Sequence, residues 1–276
     1  MSLQFPLDLE REIFEFAFKL NPTDAALRLN LSLVARRVQF WIDILFYDMV
    51  TISDKLHADH FLRLVDSKSP GFFAIAVRIL CIPYSVTAAQ AHSILSACTG
   101  VRLLACWVDY GHSLEPVALP RTVSQLPLRR LSIEFEHFLK IPAAPSTWLA
   151  ALTHVDLVFW GEIDPARLAP LGRLPKLTHV ALTSTLAGVA HARLVCDVCP
   201  LLQVLIIVHE PHDSDSDGVG YEFDPRIVEI SQVHDVISDW QSFFYGQPDM
   251  WSHAEDIIKK RSSIVRVCEV TKPAEA

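Results

Sequence analysis

The chain has 276 residues, 51% of them hydrophobic, and a formal net charge of −8. That acidic balance excludes nonspecific binding to nucleic acid or to anionic membrane, both of which need clustered Lys and Arg. Length and apolar content suffice for a large core, in one repeat array or two small domains. The opening MSLQFPLDLEREIF meets charged residues too early for a secretion signal, and no apolar run is long enough for a bilayer. The six cysteines therefore read as reduced, buried thiols in the cytoplasm or nucleus.

From Pro6 to about Ser53 the pattern is helical. Leu9, Ile13, Phe16 and Phe18 are expected to form an apolar stripe behind Asp8, Glu10 and Glu12, whose charge suits a helix N-terminus. Asn21-Pro22-Thr23-Asp24 stops that helix and caps the next. The following segment reads as one helical stretch with apolar Leu27, Leu31, Val34, Val38, Trp41 and Leu45 and a charged face at Arg28, Arg36 and Arg37. At Met49, MVTI turns β-branched and predicts a first strand.

From Val77 one hydrophobic phrase returns. It reads VRILCI at Val77, VRLLAC at Val101, LRRLSI at Leu128, LTHVDL at Leu152, LTHVAL at Leu177 and LQVLII at Leu202, with a degenerate RIVEIS at Arg226. The starts lie about 24–27 residues apart, the period of leucine-rich repeats with their L-x-x-L-x-L phrase. The connectors HADHFLRLVDS, AAQAHSILSACTG, PARLAPLGRLPKL and GVAHARLVCDVCPLL read as helices. The expected fold is α/β: a leucine-rich repeat solenoid whose curved parallel sheet carries its helices outside. Cys98 and Cys199 stand at equivalent points, three residues before the strand phrase. The segment after Ser231, with Trp240, Phe243, Phe244, Trp251, Ile257 and Ile258, predicts two helices hinged at Gly246-Gln247-Pro248 that close the open end of the stack. Expected boundaries are 1–48 for the N-terminal helices, 49–231 for the solenoid and 232–276 for the helical cap and loose tail.

The N-terminal helices resemble an F-box. Phe5-Pro6 followed by Leu9 and Ile13 answers the family's Leu-Pro turn and first helix, and Leu33-Val34-Ala35-Arg36-Arg37 answers its L-V-x-(K/R)-x-W phrase. The family's Trp falls on Val38, while Trp41 comes three residues later. The cysteine-containing repeat rhythm is also similar to that of F-box proteins, and the whole resembles F-box-like proteins of mushroom-forming fungi. The resemblance implies docking on the Skp-type adaptor of a cullin ubiquitin ligase through Pro6, Leu9, Ile13, Val34 and Trp41. Without that function, the same helices would simply cap the first repeat.

Three short motifs have spacings that suggest chemistry. Cys196-Asp-Val-Cys199 has the spacing of a redox pair or half a zinc site, but it precedes Pro200 and a buried strand and reads as packing. His209-Glu-Pro-His212 misses the zinc-protease spacing. Asp213, Asp215 and Asp217, followed by Gly218, reproduce the opening of a calcium loop, yet no helix is expected on either side and a solvated loop is the simpler reading.

In the repeat phrase the third and fifth places point to the concave side. They put Ile79, Cys81, Leu103 and Ala105 there first, then Arg130, Ser132, His154, Asp156 and His179, then Ala181, Val204 and Ile206. Trp107 and Glu134 lie just beyond. This polar centre between apolar flanks is a candidate face for a target protein, centred on Trp107, Arg130, Glu134, His154, Asp156 and His179. His154, Asp156 and His179 also admit an acid–base or small-ligand reading. No activated nucleophile, glycine-rich phosphate loop or complete metal set accompanies them, so a non-catalytic adaptor without cofactor is expected, with a plain repeat scaffold and a ligand-binding solenoid as alternatives. A deep pocket favours the ligand reading and a broad concavity the protein one.

Overall fold

The computed structural model describes residues 6–108, 118–142, 148–159, 161–184, 187–209, 224–231 and 235–270, with side chains to residue 263. The acidic stretch 213–217 and His212 lie outside the described residues.

Three helices open the chain: α1 (Leu7–Leu20), α2 (Ala25–Val34) and α3 (Arg36–Phe46). Asp24 caps α2 as expected, accepting the Leu27 N–H at 2.9 Å. Two expectations change. The second segment is two helices, because Ala35 is extended at φ −163° and ψ 155°. The apolar stripe of α1 also divides: Phe18 is buried with Leu31, Val38 and Ile42, whereas Leu9, Ile13 and Phe16 point outward. An α-helix turns 100° per residue, so Phe14 and Phe18 share one face while Leu9, Ile13, Phe16 and Leu20 share another. Asp43, 6% exposed, ties this bundle to the next layer through Lys68 Nζ at 2.6 Å and pairs within the bundle with Arg28 of α2 at 3.7 Å.

Each repeat of the phrase is a strand. β1 (Met49–Thr51), β2 (Ile79–Ile82), β3 (Leu103–Cys106), β4 (Arg130–Glu134), β5 (His154–Val158), β6 (His179–Thr183), β7 (Val204–His209) and β8 (Ile227–Ser231) form one all-parallel sheet in sequence order. The leucine positions run in register as Val50, Leu80, Leu104, Leu131, Val155, Val180, Leu205 and Ile227, and all join the main core. The connections supply the other wall of that core: α4 (Lys55–Ser67), α5 (Phe72–Ala76), α6 (Ala88–Ala97), α7 (Ala118–Ser124), α8 (Phe135–Lys140), a 3₁₀ turn at Pro165–Arg173 and α9 (Val189–Val198). The 3₁₀ turn replaces an expected helix because Pro170 inside it lacks an N–H. The second residue of the phrase has its own task. The carbonyls of Arg78, Arg102, Arg129, Thr153 and Thr178 each accept two N–H groups from the following repeat.

Cys98 and Cys199 cap the ends of α6 and α9, confirming their equivalence. Gly100 lets α5 approach: a Cβ there would strike the Ala74 carbonyl oxygen and the Arg78 guanidinium. Among the described residues no helix is long and apolar enough to cross a membrane.

The C-terminal segment forms the two expected helices, α10 (Val236–Ser242) and α11 (Met250–Val270), with Gly246 at φ 66° between them. Their position is a correction. They do not merely close the end of the stack but lie over the sheet face opposite the connecting helices, here called the inner face. Trp251 and Ala254 are buried there against Ala181, Val204, Ile206, Val208 and Val228, and Gln241 donates to Thr51 Oγ1 on β1 at 2.8 Å. The driving force is the apolar row on β6–β8, which would otherwise face water.

Candidate functional site

Register alone assembles the predicted centre. Parallel pairing sets Arg130 opposite His154 and His154 opposite His179, with Ser132 opposite Asp156 in the next row. The row beyond continues with Glu134, Val158, Thr183 and Val208. Every polar residue singled out on these strands therefore lies on the inner face.

Asp156 is 9% exposed and accepts the Ser132 hydroxyl at 2.6 Å and the Thr183 hydroxyl at 2.9 Å. Trp107 extends the chain, donating its indole N–H to Ser132 Oγ at 2.8 Å. Burial pushes the Asp156 carboxyl up, while the two hydroxyl bonds pull it back. Arg130 is engaged by the C-terminal segment: it donates to Asp249 Oδ2 at 3.0 Å and stacks over the Phe243 ring at 4.0 Å. Glu134 lies 3.2 Å from His137.

The two histidines stack with ring centroids 4.1 Å apart and planes 10° from parallel, and Trp251 sets its ring edge-on to both. The Thr153 and Thr178 hydroxyls donate to backbone carbonyls, so each oxygen accepts Nδ1–H from the adjacent His154 or His179 at 2.8 Å. His154 is driven down to about 2 by burial, then by His179 and Arg130. His179 is lowered by burial and pushed the other way by Glu255, 3.1 Å from its Nε2. With Nδ1 carrying a proton, that contact attracts only when a further proton sits on Nε2 or on the carboxyl.

The acid–base reading loses its geometry. Asp156 is bonded to hydroxyls, the histidines to threonines and Glu255, and among the described residues no Ser or Cys is hydrogen-bonded to either histidine. Burial raises Cys81, Cys98 and Cys196 to about 12 and Cys199 to about 11, so these thiols pack rather than react. Among the described residues no three His, Cys, Asp or Glu gather to hold a metal.

Between the inner face and the C-terminal segment lies a cavity of 570 Å³. Arg130, Glu134 and Asp156 line it from the strands, Trp107 from just past the end of β3, and Asp239, Trp240, Phe243, Asp249 and Trp251 from the segment. The Trp240 indole N–H is buried with no hydrogen-bond partner among the described residues. Asp239 is pushed up to about 6 by burial and by the charges of Asp249 and Asp156. Sequence reasoning found the strand half of this site. It missed Thr183, which continues the third row, and Asp239 and Asp249, which no local pattern links to the repeats.

The N-terminal candidates lie elsewhere. Pro6, Leu9, Ile13 and Val34 are exposed, and Trp41 is half-buried against the bundle core. No family model matches the chain, and no curated protein matches it.

Proposed function

We propose that the chain is a leucine-rich repeat protein with an F-box-like N-terminus, a recognition module that docks on a Skp-type adaptor of a cullin ubiquitin ligase and presents its repeats to a target protein. The observation that carries this reading is the second apolar face of α1. Leu9, Ile13, Phe16 and Leu20, spaced i, i+4, i+7 and i+11, are 42%, 52%, 64% and 63% exposed, although α1 already buries Phe18 on its other side. Leu29, Leu33 and Val34 of α2 add 60%, 74% and 56% exposure. A helix with an apolar face its own domain does not use is built for a partner. Docking rests on these outward residues; Trp41 supports the bundle from within.

The test is a pulldown and titration with purified Skp-type adaptor, comparing the intact chain with an Ile13→Ala, Leu33→Ala double variant. Anchors at the centre of such a surface lower affinity about tenfold or more when truncated. No binding by the intact chain removes the ligase reading and leaves α1–α3 as a cap.

A second reading is favoured by the cavity. The alternative of a ligand-binding solenoid called for a deep pocket rather than an open concavity, and 570 Å³ is the size of a small-molecule site.

A further inference from the structure

We infer that the inner-face cavity binds a small organic cation of the alkylammonium class, held between the carboxylates of Asp156 and Asp239 and the faces of its tryptophans. The inference rests on the ligand-pocket reading and is independent of N-terminal docking.

The charge count of the cavity wall gives the sign. Arg130 is the cation on the wall, and it is spent on Asp249 at 3.0 Å and on Phe243. Among the described residues Asp156 has only hydroxyl partners, and Asp239 accepts a backbone N–H from Met250. Neither forms an ion pair with a described residue. Of the four carboxylates on the wall, Asp249 pairs with Arg130 and Glu134 lies 3.2 Å from His137, so Asp156 and Asp239 are the two that face the cavity without a countercharge among the described residues, a costly arrangement that an anionic ligand would worsen and a cationic one would relieve.

The walls give the class. Trp107 comes from the sheet side, and Trp240 and Trp251 from the C-terminal segment. Indole faces attract cations through their quadrupole, most strongly where water is excluded, and alkyl groups on the nitrogen fill the apolar space between them. A metal ion does not suit the same wall, because among the described residues no three His, Cys, Asp or Glu gather to hold one. The volume has room for several carbon atoms besides the charged nitrogen. The raised Asp239 carboxyl agrees: burial first, then the charges of Asp249 and Asp156, disfavour its ionised form, and a bound cation would favour it.

The test uses the full chain and two probes of one shape, acetylcholine and its uncharged carbon isostere 3,3-dimethylbutyl acetate, titrated by calorimetry and tryptophan fluorescence. The expected result is saturable binding of acetylcholine, with the isostere at least about tenfold weaker. Asp156→Asn and Asp239→Asn, each confirmed folded by thermal unfolding, should each weaken acetylcholine by a similar factor and leave the isostere unchanged. The two-probe comparison needs no variant, so it decides even if Asp156→Asn does not fold. Equal binding of both probes overturns the cationic class and leaves an apolar pocket. Binding of neither up to about 10 mM, beyond the millimolar range of the weakest specific ligands, overturns the ligand-pocket reading itself. Neither negative outcome bears on adaptor docking.

Discussion

Two apolar surfaces of this protein have similar composition and opposite fates. On β6–β8 the inner row of Ala181, Val204, Ile206, Val208 and Val228 is buried, because α11 brings Trp251 and Ala254 down onto it. On α1 and α2 the row of Leu9, Ile13, Phe16, Leu29 and Leu33 has no such cover among the described residues. The chain thus covers one surface with its own helices and leaves the other exposed. The first surface should speak through stability, the second through affinity.

Trp251→Ala should break the covered surface with the largest effect. It removes a 5% exposed ring that packs on two histidines and the β7–β8 row, at about 3–5 kcal/mol in denaturant unfolding. A change under about 1 kcal/mol would mean that α11 is not held there. Gly100→Ala, buried against α5 and outside both of these apolar rows, should cost about 1–3 kcal/mol because the new methyl meets the Ala74 carbonyl. It supplies the reference for a core defect at a residue outside both proposed binding sites.

A pH titration sharpens the comparison further. His154 is neutral in the fold down to about 2, so below its unfolded value near 6.5 the unfolded chain takes up a proton that the native chain refuses. Stability should fall with pH from about 6.5 downward, by at most about 1.4 kcal/mol per unit from this group. Asp239, raised to about 6, acts oppositely between about 6 and 4, where the native chain binds the extra proton. Equilibrium unfolding at several pH values should show the acid loss reduced in His154→Asn and steepened in Asp239→Asn. The smallest effect belongs to the open surface: Ile13→Ala should change stability by less than about 0.5 kcal/mol while weakening the adaptor. A large loss of stability there would show that Ile13 is covered within the chain.

Much of this was legible because repeat grammar is local. A leucine at fixed spacing predicts a core-facing row whatever the rest of the chain does, and all eight strands, β1 from MVTI included, begin where the phrases placed them. The same grammar put Arg130, His154, Asp156 and His179 on one face. What could not be read was which face the distant C-terminal helices would cover. Val204 and Ile206 were visible as an apolar flank, and Trp251, Ala254, Ile257 and Ile258 form a matching helical stripe, but pairing the two is a tertiary choice. The break at Ala35 had no signal either, since alanine is the best of helix formers and neither Gly nor Pro stands nearby. It is this break that separates outward Val34 from inward Val38.

The hydrogen bond from Gln241 to Thr51 joins residues 190 positions apart. Arrays of repeats ordinarily hold together by nearest neighbours alone, so that either terminus frays on its own and folding spreads from any nucleus. Here the last helices reach back to the first strand, and the terminal strands are tied together by one staple. Such a chain should unfold in a single cooperative step, and should fold more slowly than an open array of equal length, since a contact this distant forms late.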